Sequence, residues 1–257
     1  MPLTLPSSMS RFIDGARLVR DRIGESPCQV FRFNRGRERF FLKMSPIIHA
    51  PTTYSVEREA AVLHWLAGRL NVPELVLVDR TDACECMITR AVPGQPLSSV
   101  TDARRQLGLL LDALFQVQSV SVADCPFDAS AAVRLRELDY LLVKGLAADD
   151  YDLQQWPGMA TPADLQRHLH ATIPVEDLVF SHGDLGDSNV FVDATDGLHF
   201  IDVGRAGKAD RWLDIAFIHR HLREEHASTL AADFLRALDR PDAPATRLFH
   251  EQLDELF

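Results

Sequence analysis

Alternation of apolar and polar positions organises the first third of the chain. Cys28-Gln29-Val30-Phe31-Arg32-Phe33 and Arg39-Phe40-Phe41-Leu42-Lys43-Met44 flank Asn34-Arg35-Gly36, and a turn between two β-type runs reads as a hairpin. The two-residue period puts Phe41 and Lys43 on one face, and Phe40, Leu42 and Met44 on the other. A short helical segment is expected before this hairpin, near Arg11 to Val19. After it, Thr52-Thr53-Tyr54-Ser55 starts a helix with Val56, Ala60, Leu63 and Ala67 at helical spacing, ending near Leu70 and Pro73. Cys86-Met87-Ile88-Thr89 is a further strand, and Arg90-Ala91-Val92-Pro93-Gly94 is an extended connection.

Beyond that connection the period changes. Leu107, Leu110, Leu111, Leu114 and Val117 form one helical stripe, and Leu135, Leu138, Leu141 and Leu142 another. A strand at Leu178-Val179-Phe180 breaks into a polar loop over 181–189. Two apolar runs follow, Val190-Phe191-Val192 and Leu198-His199-Phe200-Ile201, with turn residues between them. Asp210 is expected to cap a helix running to about Glu225. The pattern predicts an α+β chain in two lobes: a mostly β lobe over 1–88, a hinge over 89–94, and a mostly helical lobe over 95–257.

The second hairpin carries the chemistry. A turn centred on Thr195-Asp196 sets Asn189 opposite Asp202, and a turn centred on Asp196-Gly197 slips that pairing by two residues. An amide oxygen beside a carboxylate, with Asp184 on the adjoining loop, suits a hard cation such as magnesium. The order H-x-D-x-x-x-x-N followed by a strand-end Asp resembles that of kinase catalytic sites. There the first Asp receives the proton of the substrate hydroxyl, and the Asn and later Asp hold magnesium on the nucleotide phosphates. Asp187, Asp193 and Asp196 read as solvated acids of a polar hairpin.

The first lobe offers the matching half. Lys43 can grip a phosphate and Phe41 can stack on a base, while Glu59 on the following helix is the candidate partner that holds Lys43 in reach of the α- and β-phosphates. Ser26, in the tight loop Gly24-Glu25-Ser26-Pro27, can donate to a phosphate. Backbone groups of the hinge, at Thr89 and Ala91, would meet an adenine edge. No G-x-x-x-x-G-K-[ST] occurs, which argues against a P-loop enzyme.

Composition narrows the classes. At 257 residues and 46% hydrophobic, the chain can bury one large core or two lobes. Four cysteines with no metal spacing beyond one C-x-C read as reduced thiols of a cytoplasmic protein. The first ten residues show no export signal, and no uncharged apolar run approaches membrane-spanning length. The net charge of −10 is uneven: residues 1–94 carry 13 Lys+Arg against 10 Asp+Glu, the remainder 14 against 27. An acidic chain is a poor partner for nucleic acid, whereas a mildly basic half joined to an acidic one suits a polyanion and a polycation. The last helix adds an acidic face, with Glu251, Asp254 and Glu255 at i, i+3 and i+4 near the negative end of the helix dipole. Like charges there cost stability, and a cation site is inferred, with Glu224 and Glu225 contributing.

The chain resembles the aminoglycoside 3′-phosphotransferases, antibiotic-resistance kinases of the protein-kinase fold. The likeness rests on F-L-K-M at 41–44, T-T-Y-S-V-E-R-E at 52–59, L-V-F-S-H-G-D-L-G-D-S-N at 178–189, I-D-V-G-R-A-G-K-A-D at 201–210, D-I-A-F at 214–217 and L-D-E-L-F at 253–257. It implies a bilobal protein-kinase-like fold, ATP with two Mg2+ ions as cofactors, and a cationic aminoglycoside as the other partner. The expected assembly is a monomer or weak dimer. Position by position it implies Asp184 as catalytic base and Asn189 and Asp202 as metal ligands. Lys43 held by Glu59 would contact the α- and β-phosphates, Ser26 the β-phosphate, and Phe41 adenine. Arg205, Arg220, Glu224, Asp254, Glu255 and the carboxylate of Phe257 would line the drug pocket. One departure stands out: where some relatives carry an acidic loop that clamps the drug, this chain has Gln154-Gln155-Trp156-Pro157-Gly158. Two other readings stay open, a kinase of the same fold acting on a different hydroxyl and a nucleotide-binding module without catalysis.

Overall fold

The computed structural model describes residues 4–21, 26–148, 151–226 and 228–257. The expected phosphate loop is therefore covered only from Ser26 onward, and Gly24 and Glu25 lie outside the described residues. The chain forms two compact units. The first comprises Met1–Pro96 and Asn189–Arg205, the second Leu97–Ser188 and Ala206–Phe257.

The first unit begins with helix α1 (Ser7–Ile13) and strand β1 (Val19–Asp21). The expected segment over 11–19 is thus helix only to Ile13 and strand at its end. β2 (Gln29–Arg35) and β3 (Glu38–Pro46) make the first hairpin, turning at Gly36 with φ +62°. Helix α2 (Val56–Leu66) follows, and the Ser55 side chain caps it by accepting the Arg58 N–H. Then come β4 (Leu75–Arg80), β5 (Cys84–Arg90) and the two-residue β6 (Gln95–Pro96). β4 was not foreseen. β1 to β5 form one antiparallel sheet in the order β1-β2-β3-β5-β4. Along β3 the buried apolar side chains are Phe40, Leu42 and Met44, which join Met9, Ile13, Phe31, Phe33, Cys86 and Ile88 in one core. Phe41 and Lys43 take the other face, half-buried, as the two-residue period requires.

The second unit opens with helices α3 (Ala103–Ser119), α4 (Ala131–Lys144) and α5 (Pro162–Ala171) and strand β7 (Leu178–Ser181). The chain returns to the first unit as β8 (Val190–Val192) and β9 (Leu198–Phe200), and β8 pairs with both β9 and β6. The sequence pattern puts everything after residue 94 in one lobe. The backbone ladder from β6 to β8 instead ties this hairpin to the first unit. The second unit resumes with β10 (Gly207–Asp210), antiparallel to β7, then α6 (Trp212–Glu225), α7 (Ser228–Ala237) and α8 (Pro244–Asp254). Asp210 caps the N-terminus of α6 through Trp212 N–H at 2.7 Å. Ala131, Leu135, Leu138, Leu165, Leu169, Phe249 and Leu253 form its core among α4, α5 and α8. Among the described residues the cysteines are free, and no helix is long and apolar enough to cross a membrane.

Candidate active site

Lys43 is the focus of the first unit. Its Nζ lies 2.7 Å from Glu59 Oε2 and 2.5 Å from Asp202 Oδ1. Strand alternation sends Lys43 off the face opposite the core, and α2 brings Glu59 to it from the next element. Burial alone would lower the lysine pKa, but the carboxylates of Asp202 and Glu59 outweigh it and hold the ammonium well above its ordinary value. The two acids differ in setting: the Glu59 side chain is 6% exposed, that of Asp202 45%.

The hairpin register departs from expectation. Val190 pairs with Phe200, so Asn189 stands opposite Ile201, whose N–H donates to the Asn189 carbonyl at 3.0 Å. Asp202 comes one residue later. The cause is the turn. The Asp193 carboxylate accepts from Thr195 N–H (2.8 Å), Thr195 Oγ1 (2.7 Å) and Gly197 N–H (2.9 Å), and it meets His199 Nε2 at 3.0 Å. These contacts, that with His199 foremost, hold its carboxyl far below the usual range. The result is a three-residue loop with Asp196 at φ +61°, and Asp193 is a turn-former rather than a solvated acid.

Asp202 itself sits at φ +58°, a left-handed conformation that costs a non-glycine residue about 1–3 kcal/mol and is found where a side chain must be aimed. Gly204, two residues on, leaves no room for more: a Cβ there would stand 2.7 Å from the Thr53 carbonyl and within 4 Å of Glu59. Asn189 and Asp202 offer one amide oxygen and one carboxylate. No third His, Cys, Asp or Glu gathers with them into a ready-made cation cage among the described residues. That donor set fits magnesium, which keeps its waters and takes phosphate oxygens for most of its ligands.

At the end of β5, Thr89 is buried and Ala91 N–H donates to the Arg39 carbonyl at 3.0 Å. Arg90 between them is pinned by Glu74 at 2.8 Å and by Glu38. Arg205 lies in the first unit too, where its guanidinium donates to Tyr54 OH at 3.3 Å.

In the second unit, Asp184 stands on the loop after β7. Asp214, fully buried on α6, accepts His182 N–H and Gly183 N–H at 2.9 Å each and so supports the loop backbone. Burial raises its carboxyl pKa, against the opposing pull of His182 and those donors.

The acids of the C-terminal face each have donors of their own. Glu251 is buried, between Arg223 at 3.2 Å and His219 at 3.7 Å. Asp254 accepts from Arg220 at 2.6 Å. Glu255 accepts the Asp152 N–H, Gln155 Nε2 at 3.1 Å and Trp156 Nε1 at 3.3 Å. Like charges near the dipole's negative end are tolerated because each has its own donors. Glu224 remains exposed beside Arg223, and the Phe257 ring lies under the Arg134 guanidinium at 4.4 Å. The sequence thus missed Trp156 and Gln155 as the donors that occupy Glu255.

Comparison with known proteins shows the family and the fold. The family model for the phosphotransferase enzyme family matches residues 21–249. An aminoglycoside 3′-phosphotransferase of Acinetobacter baumannii is 40% identical over 260 residues, covering 99% of this chain and all of the relative. One from Enterococcus faecalis is 35% identical over 266 residues, covering 99% of each chain. The crystal structure of an aminoglycoside 3′-phosphotransferase of type VIII superposes with a TM-score of 0.81 at 30% identity, covering 95% of this chain and 94% of that one. With its lysine held by a buried helix glutamate and its acid-anchored loop after β7, the chain belongs to the aminoglycoside 3′-phosphotransferase family and has the protein-kinase-like fold of its members.

Proposed function

We propose that this chain transfers the γ-phosphate of ATP to the 3′-hydroxyl of aminoglycosides such as kanamycin or neomycin, conferring resistance to them. The observation that carries the reading is the Lys43 cluster, a strand lysine fixed by buried Glu59 and set against Asp202, on the face that also bears Phe41. Phosphoryl transfer is chiefly positioning and charge neutralisation. Lys43 contacts the α- and β-phosphates, Ser26 the β-phosphate, and Phe41 stacks on adenine. The adenine edge meets the backbone at Thr89 and Ala91, where the Ala91 N–H exchanges its bond to Arg39 for the base. Asn189 and Asp202 would hold Mg2+, two ions in our reading, which when bound would supply charge neutralisation on the phosphates. Asp184 accepts the proton of the attacking hydroxyl.

On the drug side stand Arg205, Arg220, Glu224, Asp254, Glu255 and the carboxylate of Phe257. Asp254 shares its charge with Arg220, and Glu255 is engaged by the 152–156 segment. A carboxylate keeps unused lone pairs under such loads. Each contact to a drug ammonium is then worth about 0–1 kcal/mol, and affinity comes from their number. The reaction takes place in the cytoplasm, where ATP is available, and needs no assembly beyond a monomer or weak dimer.

A coupled ADP-release assay tests the reading, run with kanamycin and with an aminoglycoside lacking the 3′-hydroxyl. Magnesium-dependent release with kanamycin and none above background with the 3′-deoxy compound is expected. Equal release with both defeats the assigned position, and no release with any aminoglycoside defeats the kinase reading.

A further inference from the structure

A polar cluster of the second unit has no part in the chemistry set out above. Gln106, on α3, is 2% exposed, a setting that an amide tolerates only when its groups are bonded. Its Nε2 donates to the Leu97 carbonyl at 3.0 Å and to Asp187 Oδ2 at 3.1 Å. Its Oε1, which can only accept, is 2.5 Å from His226 Nε2, so that ring nitrogen carries the proton. His221 Nε2 stands 3.4 Å from the same Asp187 oxygen, and the Asp187 carbonyl accepts the Ser98 N–H at 3.1 Å. Asp187 is therefore tied to α3 by its side chain and to the segment before α3 by its backbone.

Its place in the chain gives this meaning. Asp187 is three residues past Asp184, and the two residues before Asp184 are held by Asp214. Only Asp184, Leu185 and Gly186 lie between the anchors. They are drawn tight by the Gly186 N–H bond to the Asp184 carbonyl at 3.0 Å, with Leu185 buried beneath. We infer that Asp187, gripped by Gln106, is a positioning residue that fixes the trailing end of the loop and so the place of the Asp184 carboxylate. This rests on the reading of Asp184 as the base. Gln106 is a neutral donor, and an asparagine at 187 offers it the same acceptor, so the bond and not the charge is what the loop needs. With one anchor gone, the three residues can swing, and a displacement of about 1 Å in a reacting group costs about 100-fold in rate.

The experiment measures kcat, KM for ATP and for kanamycin, and the thermal midpoint for Asp187→Ala, Asp187→Asn, Gln106→Leu and Asp184→Ala in the full chain. Asp187→Ala and Gln106→Leu are expected to lose about 10- to 100-fold in kcat with both KM values within about threefold. Asp187→Asn is expected to stay within about threefold of wild type throughout. Gln106→Leu tests the same bond from α3 should Asp187→Ala fail to fold. The inference is overturned if Asp187→Ala turns over normally, if Asp187→Asn loses as much as Asp187→Ala, or if the loss falls in KM alone. Should Asp184→Ala retain turnover, the base assignment fails and the inference with it. A dead Asp184→Ala beside a normal Asp187→Ala overturns the inference alone.

Discussion

Lys43 and Glu59 form a pair whose two halves should not be equally dispensable. Replacing Lys43 by Met strands the Glu59 carboxylate, 6% exposed, without the cation that compensates its burial. Breaking a buried pair in this way costs about 3–5 kcal/mol. Replacing Glu59 by Gln strands nothing, because Lys43 keeps Asp202 at 2.5 Å and the Gln oxygen can still accept its hydrogen bond. That loss should be about 1 kcal/mol. For a chain of this size, at roughly 2–4 °C per kcal/mol, Lys43→Met should melt roughly 12 °C below wild type and Glu59→Gln about 3 °C below. A third arm isolates the cause. In Lys43→Met/Glu59→Met both charges are gone, and swapping a buried pair for apolar groups is often neutral, so the double variant should be more stable than Lys43→Met alone. Thermal unfolding followed by circular dichroism, without nucleotide, reads all three. Equal losses for the two single variants, or a double variant no better than Lys43→Met, would refute the reasoning.

Gly94 should be as intolerant as any core position. At φ +89° a Cβ would stand 2.2 Å from the Val192 carbonyl, so Gly94→Ala should cost about 3 kcal/mol or more, read as a fall in thermal midpoint. Glu251 should govern part of the acid limb. Burial pushes its carboxyl up, but His219 and Arg223 more than offset that and leave it below the ordinary value of a glutamate. A lowered acid adds stability above its unfolded value and loses it as pH falls, so the gap between wild type and Glu251→Gln should close below about pH 4.5 in urea unfolding. Glu255→Gln removes the negative charge but keeps an oxygen that can accept from Gln155 and Trp156, and it should raise KM for kanamycin several-fold, with kcat within about twofold. A large fall in kcat would place Glu255 in the transfer step instead. Asp184→Ala should lower kcat by about 100- to 10,000-fold in single-turnover phosphorylation, and an unchanged rate would remove it as base.

Local periodicity made much of this legible. The alternation along β3 separates the core trio Phe40, Leu42 and Met44 from Phe41 and Lys43, and the helix after it delivers Glu59. Asp214 supports the backbone at His182 and Gly183 from α6, a side-chain bond that periodicity does not report. What failed was set by distant or side-chain chemistry. The β8–β9 register turned on Asp193 capping its own loop, which strand periodicity does not report. The C-terminal acids looked like an exposed cation face because their donors come from elsewhere: Arg220 and Arg223 on α6, and Trp156 some hundred residues upstream. β4 escaped because Leu75-Val76-Leu77-Val78 is a short apolar run without alternation, ambiguous between helix and strand. Helix α5 escaped although its start was written plainly, with Thr161 accepting the Asp164 N–H and Pro162 at the first helical position.

The central claim is phosphoryl transfer to one particular alcohol, and the product itself decides it. Kanamycin incubated with the protein, ATP and magnesium should give a single monophosphate whose NMR spectrum couples phosphorus to the 3′ carbinol proton. A phosphate on any other oxygen, or ADP formed with the drug unmodified, would contradict the account.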